Sequence, residues 1–394
     1  ILQEVINEQS KADVSVGAFL SGGVDSSLIV ALMQSQSNLS INTFTIGYDN
    51  KDYDESSQAR IISNYLGTNH TDLIVTANDA LRIIPNLGYV FDEPFADASQ
   101  IPTLLISSLA KSNVKVSLSG DGGDEVFGGY NRYFWGPSIY KYMRFFPLSI
   151  RKIFSYVLNA VSPTRWDSCF SMVSDLLPNS LNIRHSGEKI HKISSLLRAR
   201  NEYEFYSMLV SIWHDNNPVI GNSATNSLLA GHRDLWSSSR HFSENMMDLD
   251  MVTYLPDDIL VKVDRSSMSV GLETRAPFLD YRVVEFATGL PLNYKIHNNE
   301  GKLILRSLLK KHIPRNISNQ TKSGFSVPIH EWLRGPLKEW SEDLLSEETL
   351  NRQGFFNVKL IRDTWQDHLS GKRNTQYLLW SVLMFQLWMS SSQK

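Results

Sequence analysis

The sequence predicts an α/β protein, a parallel sheet with helices on both faces joined to a helical region, and three observations carry that expectation. Short β-branched runs alternate with helical stretches from Leu2 to Gly120. Two of those runs lead straight into glycine-rich, acid-bearing segments. From about Tyr133 onward the pattern turns aromatic-rich and helical.

Taken in order, apolar residues at helical spacing from Leu2 to Asn7 precede "VSVGAFL" (Val14 to Leu20), a short apolar run whose β-branched residues predict a buried strand. "VDSSLIVALMQSQ" (Val24 to Gln36) has the length and composition of a helix. A strand at "SINTFTIGY" (Ser40 to Tyr48), a helix from Asp54 to Leu66 closed by Gly67, and a strand at "HTDLIVT" (His70 to Thr76) continue the alternation. A helix from Asn78 to Phe91 with Asn78 as its cap, and a further strand in "NVKVSLSG" (Asn113 to Gly120), complete it. Strands alternating with helices of this length imply right-handed βαβ units, and ligands of such sheets bind beyond the carboxyl ends of the strands.

The expected division is a core over 1–134, a helical region packed on it over 135–250, and a C-terminal helical part over 251–394. "SPTRWDSCF" and "GNSATNSLLAGH" read as loops, "GKLILRSLLKKHI" as a helix, and the final "SSSQK" as a frayed tail. No strand signal is expected after Asp250.

The 394 residues carry 38 basic and 41 acidic side chains for a net charge of -3, with 42% hydrophobic residues. Near-neutral charge without blocks of one sign argues against nucleic-acid or membrane-surface partners. No apolar run reaches the length of a membrane span and no secretory signal opens the chain, so a cytoplasmic enzyme is expected. The one cysteine, Cys169, excludes an intramolecular disulfide and a cysteine-rich zinc site. It reads as a small buried apolar residue rather than a nucleophile.

Ser21-Gly22-Gly23-Val24-Asp25-Ser26-Ser27 falls between a strand and a helix, where glycines admit close backbone approach and amide groups converge on the helix N-terminus. Its natural guest is an anion such as phosphate. Asp25 then either shares a divalent cation with the phosphates or complements the helix dipole. The nucleotide-binding patterns Gly-x-x-x-x-Gly-Lys-[Ser/Thr] and Gly-x-Gly-x-x-Gly are both missing, which removes ordinary kinase, GTPase and dinucleotide readings. "VSLSGDGGDEVFGGYNRY" (Val116 to Tyr133) is the second strand-to-loop junction, with Asp121, Asp124 and Glu125 among its glycines. Carboxylates there suit Mg²⁺, a hard cation that shares its shell with phosphates and water. If both loops lie at one edge of the sheet, Asp25 and Asp124 flank one magnesium-pyrophosphate unit.

These two loops, with "YLPDDILVKVDRSSMSVGLETRAPFLD" (Tyr254 to Asp280) and "TKSGFSVPIHEWLRGPL" (Thr321 to Leu337), resemble the synthetase domain of the glutamine-hydrolysing asparagine synthetase family. The four segments are collinear and the likeness spans nearly the whole chain. It implies an ATP pyrophosphatase fold of the adenine nucleotide alpha hydrolase type. The activity implied is attack of a carboxylate, that of aspartate, on the α-phosphate of ATP, followed by ammonia displacing AMP from the acyl-adenylate. ATP is then a substrate and Mg²⁺ the metal, on Asp25 and Asp124.

The resemblance assigns Ser21, Gly22, Gly23, Asp25 and Ser26 to the pyrophosphate. It assigns Leu20, Ile46, Ser119 and Gly120 to adenine and ribose, although Leu20 and Ile46 read equally as buried sheet. Asp121, one methylene shorter than the Glu many relatives carry, matches the acid tied to adenylate formation, and Lys322 the lysine that stabilises charge at the α-phosphate. Asp264, Arg265, Glu273, Arg275 and Asp280 match too, and are expected to form ion networks that support the fold. Where one branch holds aspartate with an arginine, this chain has Asp97, in "DEPFADASQIPT".

The family's glutaminase domain, with its N-terminal cysteine, is not in this sequence, which starts at Ile1. The expectation is that it precedes Ile1 in cis, or that a glutaminase in trans or free ammonia serves the chain; a homodimer also fits the resemblance. Alternatives are the same chemistry on another carboxylate, such as a sugar acid or a β-lactam-type cyclisation, a tRNA-adenylating relative, and a catalytically silent module.

Overall fold

A computed structural model describes residues 1–49, 54–163, 165, 166, 168, 186–213, 217–221, 228–318 and 327–392. Its contacts group the chain into two units, one of Ile1–Glu93, Asp97–Trp135 and Ser237–Pro328, the other of Pro94–Ala96, Gly136–Trp236 and Ile329–Lys394.

The first unit holds the sheet. The β-branched runs become β1 (Val16–Phe19), β2 (Asn42–Tyr48), β3 (Asn69–Val75) and β4 (Val116–Leu118). A fifth strand, β5 (Glu273–Arg275), completes a sheet of order β3-β2-β1-β4-β5 in which every pairing is parallel. β5 corrects the expectation of no strand after Asp250. It is a three-residue edge strand of sequence Glu-Thr-Arg, with no apolar run to announce it. Only pairing with Val116–Leu118 makes it a strand.

Thr43 to Tyr48 of β2 are buried without a break, as happens when helices cover both faces of a parallel strand. One layer contains α1 (Leu2–Gln9) and α2 (Val24–Ser35), packed with Leu303–Leu309 and Tyr281–Thr288 in a core that includes Ala18, Leu20, Leu118 and Phe278. α2 is buried at every position from Asp25 to Met33, so it is an interior helix rather than an amphipathic one. α3 (Ser56–Leu66) ends at Gly67 in the left-handed region, φ 74°, as its sequence predicts. α4 (Ala77–Val90) is capped by Thr76 and not by Asn78. Asp79 N–H donates to Thr76 Oγ1 at 3.3 Å and Thr76 N–H to Asp79 Oδ2 at 2.9 Å, a capping box hidden in what reads as the end of a strand. α5 (Gln100–Lys111) packs on β2 and on the helix Val261–Ser269.

The order of strands reverses at β1, which pairs with β2 on one side and β4 on the other. The carboxyl ends of β1 and β4 therefore open a crevice at the switch point of the sheet, the place where α/β folds bind ligands.

The second unit is helical, its cores built around fully buried Trp365 and Trp380. Within "GNSATNSLLAGH", Leu228–Gly231 forms a helical turn rather than loop. The C-terminal helix runs from Gln376 to Ser392, so most of the expected frayed tail is helical. Ser390 and Ser391 hydroxyls donate back to the carbonyls of Gln386 and Leu387, at 2.9 and 3.0 Å. Among the described residues no helix is long and apolar enough to cross a membrane.

Candidate active site

The first loop leaves β1 at Leu20, fully buried, whose N–H donates to Phe44 O of β2 at 2.8 Å. Gly22 adopts φ 79°, and a Cβ on it would come within 2.9 Å of Gln58 Cγ, so the turn requires glycine twice over. Ser21 and Ser26 hydroxyls lie 3.0 Å apart, and they accept from Gly23 N–H at 3.3 Å and Ser21 N–H at 3.2 Å. Gly23 is the N-cap of α2 and offers no side-chain cap, so the first turn of a largely buried helix presents its amides at the loop. Rotatable hydroxyls and first-turn amides are together a cradle for an oxyanion.

The second loop joins β4 to α6 (Gly123–Phe127). Ser119 N–H is held by Arg275 O of β5 at 2.8 Å, the structural use of that unforeseen strand. A Cβ on Gly120 would stand 3.1 Å from Asp25 Cβ, and one on Gly123 2.7 Å from Asp25 Oδ1. The two loops thus touch through glycines, and Asp25, Gly120, Gly123 and Asp124 meet at one edge of the sheet.

What joins the acids is Lys302, which the sequence reading did not single out. Its ammonium pairs with Asp25 Oδ2 and lies 2.5 Å from Asp124 Oδ1, with 5% of its side chain exposed. Its backbone sits at φ 58° as N-cap of Leu303–Leu309, tied to Phe127 O through its N–H at 3.2 Å. A lysine at a helix N-terminus opposes the helix dipole, and that mismatch in "GKLILRS" is the signal that could have marked it.

Magnesium, which the resemblance implies, needs hard oxygens that leave room for phosphates. Among the described residues Asp25 Oδ1 is buried without a hydrogen-bond partner and so offers one. Among the described residues no cluster of three or more His, Cys, Asp or Glu could hold a metal by itself. That donor set fits magnesium, which commonly takes one or two protein carboxylates and completes its shell with substrate phosphates and water.

Asp121 lies deeper. Burial raises its carboxyl above the usual range, against the pull of Ser119 and of the Lys262 charge, while Asp124 and Asp25 add to the rise. Glu125 does not join the pair: it is 1% exposed and accepts from Tyr130 Oη–H at 2.6 Å. Burial pushes its carboxyl up to about 7 despite that hydrogen bond. Ile46 is 3% exposed inside β2. Lys322 and Cys169 lie outside the described residues.

Asp97 is not an open anion. Its Oδ2 lies 2.7 Å from Lys262 Nζ and accepts from Ser99 Oγ–H at 2.7 Å, while Oδ1 accepts from Ser99 N–H at 2.9 Å. Burial works against its ionisation, yet the Lys262 charge and the Ser99 bonds hold its carboxyl below the usual range. Neighbouring Asp258 is raised to about 7 by burial and then by the charge of Asp97. The charged residues of the "KVDRSSM" to "PFLD" stretch form the expected ion networks: Arg265 with Asp264 and Asp92 at 2.7 Å each, Arg275 with Glu273 at 2.6 Å, and Arg282 with Asp280 at 2.9 Å and Glu8 at 2.6 Å.

A parallel sheet whose switch point carries two touching glycine loops, one acid from each meeting on a lysine, defines a PP-loop domain of the ATP pyrophosphatase fold. The sequence profile described as asparagine synthase matches residues 1–390, and the chain belongs to that family. It is 29% identical over 396 residues to the glutamine-hydrolysing asparagine synthetase 1 of Bacillus subtilis, covering 99% of this chain and 58% of the relative. It is 30% identical over 401 residues to a putative glutamine-hydrolysing asparagine synthetase of Mycobacterium bovis, covering 98% and 56%. A more distant relative, the amidase chry2 of Gibberella zeae, is 24% identical over 404 residues, covering 95% and 58%. The chain thus spans a little over half the length of these curated relatives.

Proposed function

We propose that this protein is an ATP-dependent amide-forming ligase that converts aspartate to asparagine. The observation that carries the reading is the meeting of the β1 and β4 loops, with Asp25 and Asp124 on Lys302 beside an uncapped helix N-terminus. An oxygen of the acceptor carboxylate forms a bond to the α-phosphorus of ATP as the bond to the bridging oxygen of the β-phosphate breaks. The products are acyl-adenylate and pyrophosphate. Ammonia, normally from glutamine, then attacks the acyl carbon, the bond to AMP breaks, and a proton is lost as the amide forms.

Ser21, Gly22, Gly23 and Ser26 hold the β- and γ-phosphates through amides and hydroxyls aimed at the charge that develops on the leaving group. Asp25 and Asp124 would hold magnesium, which when bound neutralises phosphate charge. Lys302 keeps the two acids together. Ser119 and Gly120, with Leu20 and Ile46 behind them, border the nucleoside, Asp121 faces adenylate formation, and Lys322 takes the charge at the α-phosphate. The glutaminase that supplies ammonia resides in cis or in trans, and the protein works in the cytoplasm.

The test is product analysis with ATP, Mg²⁺, ammonium and aspartate. AMP and pyrophosphate formed only with aspartate support the reading; ADP, or no turnover with any acid, overturns it. A second reading keeps the chemistry and changes the carboxylate, and Asp97, an anion in the acceptor segment, is the observation that favours it.

A further inference from the structure

A surface helix ordinarily turns its apolar stripe inward and its polar residues to water, and the helix that follows α7 (Arg132–Met143) does the reverse. In α8 (Leu148–Ala160), Arg151, Ser155 and Asn159 recur every fourth residue on one face, and that face is the one held to the protein. Arg151 Nη1 donates to Ala199 O at 2.8 Å, Ser194 Oγ–H donates to Asn159 Oδ1 at 2.8 Å, and Ser155 is buried. Ile150, Ile153, Phe154 and Val157, at the spacing of an apolar stripe, are all exposed. The stripe cannot roll inward without stripping the Arg151 guanidinium of its carbonyl partner.

Tyr142, Phe145 and Phe146, just ahead of α8, are exposed as well, as is Tyr156. Of the large apolar or aromatic side chains more than half exposed among the described residues, nearly half fall within residues 142–157. Such a concentration marks a surface that meets another apolar phase. Its charge says which one. Residues 136–166 include five basic side chains and no acidic one. Lys141, Arg144 and Lys152 are exposed, and among the described residues none of them makes an ion pair. The whole-chain charge of -3, which argues against a membrane surface, averages out this local excess. A second copy seated face to face would bring the basic residues of both copies together, and protein interfaces are poor in lysine. A bilayer with anionic headgroups satisfies both properties, the acyl boundary taking the apolar side chains and the phosphates the cations.

We propose that residues 142–157 form a peripheral membrane-binding surface, with α8 lying in the plane of a bilayer that carries anionic lipid. Ile150, Ile153, Phe154 and Val157 enter the acyl boundary, Lys141, Arg144 and Lys152 reach the lipid phosphates, and Tyr142 and Tyr156 sit at headgroup level. At 13 residues α8 is too short to cross the bilayer, so the protein docks on one leaflet. None of these residues belongs to the β1 and β4 loops, so the proposal stands apart from the ligase reading.

The experiment is flotation of the chain with vesicles of phosphatidylcholine alone and of phosphatidylcholine containing about one-third phosphatidylglycerol. The expected result is flotation with the anionic vesicles, with an affinity on the order of a hundredfold above that for the neutral ones, as three cations at the surface imply, and falling as salt is added. Phe145→Glu/Phe154→Glu abolishes flotation, and Lys141→Ala/Lys152→Ala weakens it on the order of tenfold or more. All four side chains are exposed, so both variants keep the circular dichroism of the wild type. Hydrogen exchange of the wild type, slowed at residues 142–157 by the anionic vesicles, locates the contact without any substitution. No flotation with anionic vesicles, flotation that the glutamate pair leaves unchanged, or slowed exchange only elsewhere overturns the proposal. A dimer in sedimentation velocity that the glutamate pair dissociates, with no vesicle binding, assigns the face to a second copy and overturns it too.

Discussion

Replacing Lys302 by methionine tests the geometry of the site without reference to turnover. Lys302 Nζ lies 2.5 Å from Asp124 Oδ1 and pairs with Asp25 Oδ2, and the three side chains are 5%, 18% and 10% exposed. Methionine fills the space of the aliphatic stem and leaves two carboxylates facing each other. At about 5 Å and an effective dielectric of about 20, two unit charges repel by roughly 3 kcal/mol. Removing one partner of a buried ion pair costs about 3–5 kcal/mol in general, and the two figures agree. For a unit of this size each kcal/mol moves the melting temperature by about 2–4 °C, so the variant should melt roughly 6–20 °C lower. Calorimetry measures that shift, with hydrogen exchange of the α2 amides as the local reporter. Tryptophan fluorescence would follow the wrong part, because Trp135 is the lone tryptophan of the sheet unit. Magnesium should restore more stability to the variant than to the wild type, since it takes over the missing positive charge. A melting temperature within about 2 °C of wild type would refute the buried, bridging lysine.

Three further predictions follow from the same structure. Gly123→Ala puts a Cβ 2.7 Å from Asp25 Oδ1, and should raise the KM for ATP on the order of tenfold or more while the fold, followed by circular dichroism, is retained. Thr76→Ala removes half of the α4 capping box and should cost about 1 kcal/mol in urea unfolding, with no change in turnover. Asp258, whose carboxyl rises from 3.8 to about 7 on folding, binds a proton in the folded state that the unfolded state has lost. Its contribution therefore falls as pH rises from about 4 to 7, by a few kcal/mol at most, and Asp258→Asn should flatten the stability profile across that window.

The loops at Ser21 and Gly120 were legible in the sequence because glycine, serine and acid directly after a buried strand have few other uses. The four strands rich in β-branched residues were legible for the same local reason. β5 was not, because Glu-Thr-Arg has no strand signature and exists only through its pairing with β4. Lys302 and Lys262 were not legible as partners of Asp25 and Asp97, from which 277 and 165 positions of chain separate them. Both contacts belong to the way the C-terminal part of the sheet unit folds back over its N-terminal strands, and no local pattern encodes that. The capping box at Thr76 was within reach, but the residue was absorbed into the preceding strand.

In the proposed reaction an acceptor carboxylate is activated as an adenylate. Aspartate labelled with ¹⁸O in its side-chain carboxylate, incubated with ATP, Mg²⁺ and ammonium, measures this through the ³¹P spectrum of the products. One ¹⁸O atom is expected to pass to the phosphate of AMP, in step with asparagine formed. Label in inorganic phosphate alongside ADP, or AMP free of label, would contradict it.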